Sequence, residues 1–225
     1  MKKSARAAGY LFLTALAASA SFAATITIGV PEATANAFPF IGTGPGAPGT
    51  RYQQAYAAAD FTEAMAITDI SFFRQQAGTF RSATYSLYLS TITAGIDSLS
   101  VSNFDANLGS DNTLFATVSL SGSLPPVLTF SGAPFLYNPT SGNLLLDMKV
   151  SSIGASGSGG FQWQASGGSG IFSRYYDFFN PATQAIATGL VTRFDYNTTV
   201  PEPGSFGLIG LAVTGLIGFK LKPRT

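Results

Sequence analysis

The 225-residue chain has room for one ordinary domain, is 46% apolar but only 10% charged, and carries a formal net charge of +1. It contains no cysteine and no histidine, which excludes disulfide stapling, thiolate chemistry, the commonest zinc ligand and the one side chain that titrates unaided near neutral pH. Half of the twelve bases stand at the two ends, so from Ala24 to Thr199 six bases face ten acids, and this mildly acidic body has no electrostatic footprint for nucleic acid.

Residues 1–23 open with Lys2, Lys3 and Arg6, continue through the apolar stretch "YLFLTALAA" (Tyr10 to Ala18) and close on the small residues of "SFA" (Ser21 to Ala23). These are the three regions of a secretory signal peptide. Cleavage is expected after Ala23, with the secretion translocon and signal peptidase as the first partners. The apolar stretch is short for a membrane span.

The body, residues 24–199, has no long helical period. It consists of short runs of β-branched and aromatic residues separated by Gly, Pro, Asn and Ser. Strands are expected at "TITIGV" from Thr25, "ITDISFFR" from Ile67, "TYSLYLST" from Thr84, "TLFATVSL" from Thr113, "VLTF" from Val127, "NLLLDMKVS" from Asn143, "FQWQA" from Phe161, "IFSRYYDFF" from Ile171 and "LVTRFDY" from Leu190. In "TYSLYLS", Tyr85, Leu87 and Leu89 point one way and Ser86, Tyr88 and Ser90 the other, as in a half-buried strand. Strands at this spacing imply an all-β fold, an antiparallel β-sandwich or jelly roll. "RYQQAYAAADFTEAMA" (Arg51 to Ala66) is ambiguous between helix and strand. Pro31 to Thr50 and Gly154 to Gly160 are low-complexity loops that build no core element, and neither has the spacing of a phosphate-binding loop.

Three constellations in the body could carry chemistry. Ten scattered carboxylates could include a glycosidase pair, but sequence alone cannot choose one. The Asx-rich stretch from Asp97 to Leu114 offers Asp105, Asn107 and Asp111 as oxygen ligands for Ca²⁺; the EF-hand order fails, however, and Asx turns capping strands account for the same residues. Trp163, Tyr175 and Tyr176 could stack sugar rings, but alternation in "FQWQ" puts Phe161 and Trp163 on one face and favours a buried Trp163.

The chain ends in "VPEPGSFGLIGLAVTGLIGFKLKPRT", Val200 to Thr225. Pro201, Glu202 and Pro203 are held extended by their prolines. Gly204 to Phe219 is an uncharged run carrying Leu208, Ile209, Leu211, Val213, Leu216, Ile217 and Phe219, and it is bounded by the basic stop Lys220, Lys222 and Arg224. As a helix the run would be about 24 Å long, short of the roughly 30 Å hydrocarbon core. It spans only by thinning the bilayer or by snorkelling its lysines, as a temporary anchor would. The positive-inside rule keeps the basic end cytoplasmic and puts Glu202 outside.

This tail, residues 200–225, resembles the PEP-CTERM sorting signal of Gram-negative bacteria: a Pro-Glu-Pro motif, a short transmembrane helix and a basic end. The resemblance implies recognition of Pro201, Glu202 and Pro203 by an exosortase, a membrane-embedded transpeptidase, followed by cleavage and delivery to the cell surface or exopolysaccharide matrix. "RYQQAY", "ISFFR", "YSLYLST" and "PFLYNPTSGNLLLDMKV" look like segments of uncharacterised PEP-CTERM proteins in which the first reads as extended. The expectation is therefore a non-enzymatic exported protein, transiently anchored in the membrane, that binds exopolysaccharide. A secreted glycan-active hydrolase with an Asp/Glu pair and a structural matrix or appendage subunit are the alternatives.

Overall fold

A computed structural model describes residues 21–31, 34–36, 39–40, 51–100, 102–154, 162–167, 172–177, 183–186 and 188–199. In chain order the strands are β1 (Ser21–Ile28), β2 (Thr34–Asn36), β3 (Arg51–Tyr56), β4 (Met65–Gln76), β5 (Thr79–Ile92), β6 (Thr113–Ser123), β7 (Val127–Tyr137), β8 (Asn143–Ser151), β9 (Gln162–Gly167), β10 (Phe172–Asp177), β11 (Thr183–Ile186), β12 (Thr188–Leu190) and β13 (Thr192–Thr199). Apart from these, the described elements are short 3₁₀ turns, among them Ile96–Ser98 and Phe104–Asn107.

One sheet runs β1-β13-β4-β9-β12, with β2 added on β9 and β7 on β4; the other runs β11-β10-β3-β8-β5-β6. The resolved pairings are antiparallel. Both sheets feed one core: Ile67, Ile70, Phe72, Phe130, Trp163 and Phe194 from the first meet Tyr52, Tyr85, Leu87, Leu146 and Met148 from the second. The fold is thus all-β and antiparallel, consistent with a β-sandwich. As the alternation predicts, Tyr85, Leu87 and Leu89 are fully buried. The ambiguous "RYQQAY" is a strand, β3, because it is hydrogen-bonded on both sides, to β8 and to β10.

The second sheet is covered on its outer face as well. Ile96, Leu99, Phe104 and Leu108, from the segment between β5 and β6, pack on Ala55, Ile92 and Leu145. This explains why three consecutive leucines, Leu144 to Leu146, are all buried where simple alternation would expose one. The two sheets approach each other at the β6–β7 corner, where a Cβ on Gly132 would lie 2.2 Å from the Phe115 carbonyl oxygen. Only glycine fits that closeness.

Two expectations need correction. β1 begins at Ser21 rather than Thr25, so it runs across the expected cleavage bond after Ala23. The Pro31 to Thr50 stretch does contribute to the core: β2 pairs with β9, and Phe40 is fully buried. Its ring centroid lies 4.9 Å from that of Trp163, 5.4 Å from Tyr85 and 5.6 Å from Phe72. A composition rich in Pro and Gly denies a segment regular structure, yet a single ring in it can still plug a core, which composition does not register. The apolar stretch Tyr10 to Ala18 and the tail 200–225, including Leu208 to Phe219, lie outside the described residues, among which no helix is long and apolar enough to cross a membrane.

A polar bridge crosses the core. Gln54, fully buried on β3, accepts from the Leu190 backbone N–H (2.8 Å) and donates to the Leu190 carbonyl (2.9 Å). The Tyr52 hydroxyl donates to the same amide oxygen, and the Tyr56 hydroxyl lies 2.9 Å from that of Thr192. Gln54→Leu, which keeps the volume but leaves Leu190 without its partner, is expected to destabilise the fold by about 1–3 kcal/mol. Phe40→Ala should lose about 3–5 kcal/mol, since it opens a cavity among aromatic rings. Urea denaturation of both variants checks these values, and a Phe40→Ala protein as stable as the parent would show that the ring is not part of the core.

Candidate functional site

The side chains that sequence reading singled out in the body are placed very differently from one another. Trp163, on β9, is fully buried, with its ring 4.9 Å from Phe40 and 6.1 Å from Phe80. Trp163 is therefore core, as the alternation in "FQWQ" favours, and no sugar platform. Tyr175 and Tyr176 belong to β10, where their backbones pair with Gln53 and Tyr52 of β3 and with Ala185 and Gln184 of β11. Their side chains lie outside the described residues.

Asp105, Asn107 and Asp111 are each engaged by a different partner. Asp105 is exposed and receives the Arg51 guanidinium at 2.7 Å. Asn107 is buried; it donates to Gln53 (2.8 Å) and to the Ser100 carbonyl (2.9 Å) and accepts from the Ser100 N–H (2.6 Å). Asp111 accepts from the Thr91 N–H at 2.7 Å. Asn103 caps the 3₁₀ turn Phe104–Asn107 by accepting from the N–H groups of Asp105 and Ala106. These are Asx-turn and capping roles. Among the described residues no group of three or more Asp, Glu, His or Cys side chains is gathered as a metal would need.

The network that the structure builds here centres instead on Arg51, at the start of β3. Its guanidinium clasps Asp147 of β8 with two bonds, 2.8 and 2.9 Å, and reaches Asp105 with a third nitrogen. Asp147 is 1% exposed and also accepts from Gln53 at 3.2 Å, while Gln53 donates to the Phe104 carbonyl at 2.9 Å. The forked geometry of arginine suits this bidentate clasp, and the bonds satisfy a carboxylate that would otherwise be buried with its charge unmet. Burial alone would lower the Arg51 pKa, but the bonds and charges of Asp147 and Asp105 outweigh it and raise the pKa. Arg51 in turn holds the Asp105 carboxyl below its ordinary value. Whatever Asp105 adds to stability is thus present above its unfolded pKa, near 3.8, and is lost as the pH falls through the folded one.

Sequence reading missed Arg51, Gln53 and Asp147 because they are 96 residues apart at the extremes and nothing local marks them. A charged residue in the middle of the apolar "NLLLDMKV" was the available signal: an acid in a strand buried on both faces needs a partner.

The remaining candidate, the tail, follows β13 with no spacer. β13 ends at Thr199, and residues 199–224 match the family model of the PEP-CTERM protein-sorting motif. The chain carries a PEP-CTERM sorting signal. That signal implies export, transient membrane anchoring and processing by an exosortase, and it coincides with the segment in which Pro201, Glu202 and Pro203 precede the apolar run and the basic end Lys220, Lys222 and Arg224. Comparison with curated proteins and with solved structures finds no match. The PEP-CTERM assignment accordingly rests on the tail, and the body is read from its own geometry.

The two carboxylates on Arg51 differ in role. Asp147→Ala, which leaves the Arg51 guanidinium with the exposed Asp105 alone and takes one acceptor from Gln53, is expected to destabilise by about 3 kcal/mol. Asp105→Ala, at an exposed pair, should change little and only at low salt. Thermal unfolding at two ionic strengths measures both, and equal losses for the two variants would contradict the network as described.

Proposed function

We propose that this is an exported surface or matrix protein whose tail is a disposable tether and whose body is a non-catalytic β-sandwich that binds extracellular polysaccharide. The observation that carries the reading is the PEP-CTERM signal at residues 199–224, placed directly after the last strand of the body. The signal peptide expected at residues 1–23 supplies the way out, and the run from Leu208 to Phe219 the temporary anchor, so the first partners are the translocon, signal peptidase, the inner membrane and an exosortase. The destination motivates the ligand: a protein released into a polysaccharide matrix, with an acidic, histidine-free body rich in aromatic residues, meets sugars that rings and amides can hold.

A hydrolase using an acid pair draws less support from the geometry. The two acids brought together at Arg51 share its positive charge, and Asp147 is closed to solvent by the cover over its sheet. A glycosidic oxygen needs a carboxyl it can reach.

Glu202→Ala and Pro203→Ala are expected to accumulate a longer form in the membrane fraction at the expense of the released one. Immunoblots of membrane, cell-surface and culture fractions from the producing cell read this out. If both variants are processed and released like the parent, the tripeptide is not what the exosortase recognises and the tether reading fails.

A further inference from the structure

β1 leaves its sheet at Gly29, whose φ of +98° is a conformation that side chains rarely tolerate, and the chain then turns through Val30 to Pro31. This turn walls two hollows. One, of about 500 Å³, is lined by Thr27, Gly29, Pro31, Phe73 and Gln164. The other, of about 240 Å³, shares Thr27 and Gly29 and adds Ile28, Val30 and Asp60. Phe73 follows the buried Phe72 on β4 and is itself only half-buried. The Arg193 guanidinium stands 5.8 Å from the centroid of its ring and is fixed by donating to Asp195 and to Ser71, each at 3.2 Å. Gln164 is the half-buried neighbour of the core residue Trp163.

We propose that the larger hollow is a subsite for a neutral sugar ring, which stacks on Phe73 and exchanges hydrogen bonds with Gln164 and Thr27. The inference rests on the polysaccharide-binding reading above and adds the place and the charge of the ligand. A pyranose has an apolar C–H face and a rim of hydroxyls. An aromatic ring beside a primary amide, which both donates and accepts, and a hydroxyl matches those two surfaces. Gly29 carries no side chain, so a ligand can approach the backbone there.

Charge decides between sugars. Among the described residues no charged side chain lines the larger hollow, and the positive charge of Arg193 beside it is already met by Asp195. The adjoining hollow holds Asp60, whose Oδ2 is buried without a hydrogen-bond partner. The charge of that carboxylate repels a uronate carboxylate. Burial raises the Asp60 pKa above its ordinary value.

Isothermal titration of the purified full-length chain, in a detergent without a sugar headgroup, tests this with cellohexaose, chitohexaose, hexagalacturonate and matrix polysaccharide from the producing cell. The expected result is binding of at least one neutral hexamer, with hexagalacturonate at least about tenfold weaker. Phe73→Ala and Gln164→Ala should each weaken binding about tenfold, equivalent to about 1.4 kcal/mol, with the melting temperature unchanged. Gln164→Ala carries the test alone should Phe73→Ala disturb the fold. Undiminished binding by the variants, or a preference for hexagalacturonate, overturns the subsite while leaving the polysaccharide reading standing. A parent chain that binds none of the four probes overturns that reading and the subsite with it.

Discussion

One buried amide holds the two sheets in register. Gln54 comes from the sheet that contains β3 and closes both backbone groups of Leu190, at the end of β12 in the other sheet. A hydrophobic core pulls sheets together without fixing how far one slides over the other, because area burial has no direction. A pair of hydrogen bonds to a single backbone unit does have direction, and it fails when either sheet shifts by more than a fraction of a strand spacing. The Tyr56 and Thr192 hydroxyls add a second bond of the same kind one turn of the pleat away. The penalty for leaving these groups unpaired in a dry core makes the correct packing distinct from its neighbours.

The outer side of the same strand shows the complementary strategy. Gln53, one residue away and therefore on the opposite face, joins Arg51, Asp147 and Asn107 in a network that pins the cover segment over β3 and β8. β3 is thus a polar strand in chemical composition and a buried strand in position. Each of its two consecutive glutamines serves a different interface: Gln54 ties sheet to sheet, and Gln53 ties sheet to loop. Nothing in "RYQQAY" reveals this division by itself, since both glutamines look like surface residues until their partners, far along the chain, are in place.

Period-two patterning made most strands legible. "NLLLDMKVS" is β8 residue for residue, and "TYSLYLST" lies within β5 with the predicted face inward. Extensions at strand ends, such as the start of β1 at Ser21 and the continuation of β7 to Tyr137, depend on pairing partners rather than on local preference. Trp163 was readable as core from alternation, whereas Phe40 was hidden in a Pro/Gly-rich loop whose composition argues against structure. The tail was the most legible element, because its three parts are contiguous and each has its own composition. The Phe73 hollow was not legible, because it gathers residues from three separated segments that only the order of strands β1, β13, β4 and β9 brings to one place.

The position of β13 has a mechanical consequence. It is the last strand of the body and leads directly into the sorting signal, yet it lies inside its sheet, hydrogen-bonded to β1 on one side and to β4 on the other. Drawing that strand out of the body therefore means breaking two ladders, where an edge strand has only one. A body anchored through an edge strand would fray under drag, whereas this one resists being unravelled from the point at which it is held.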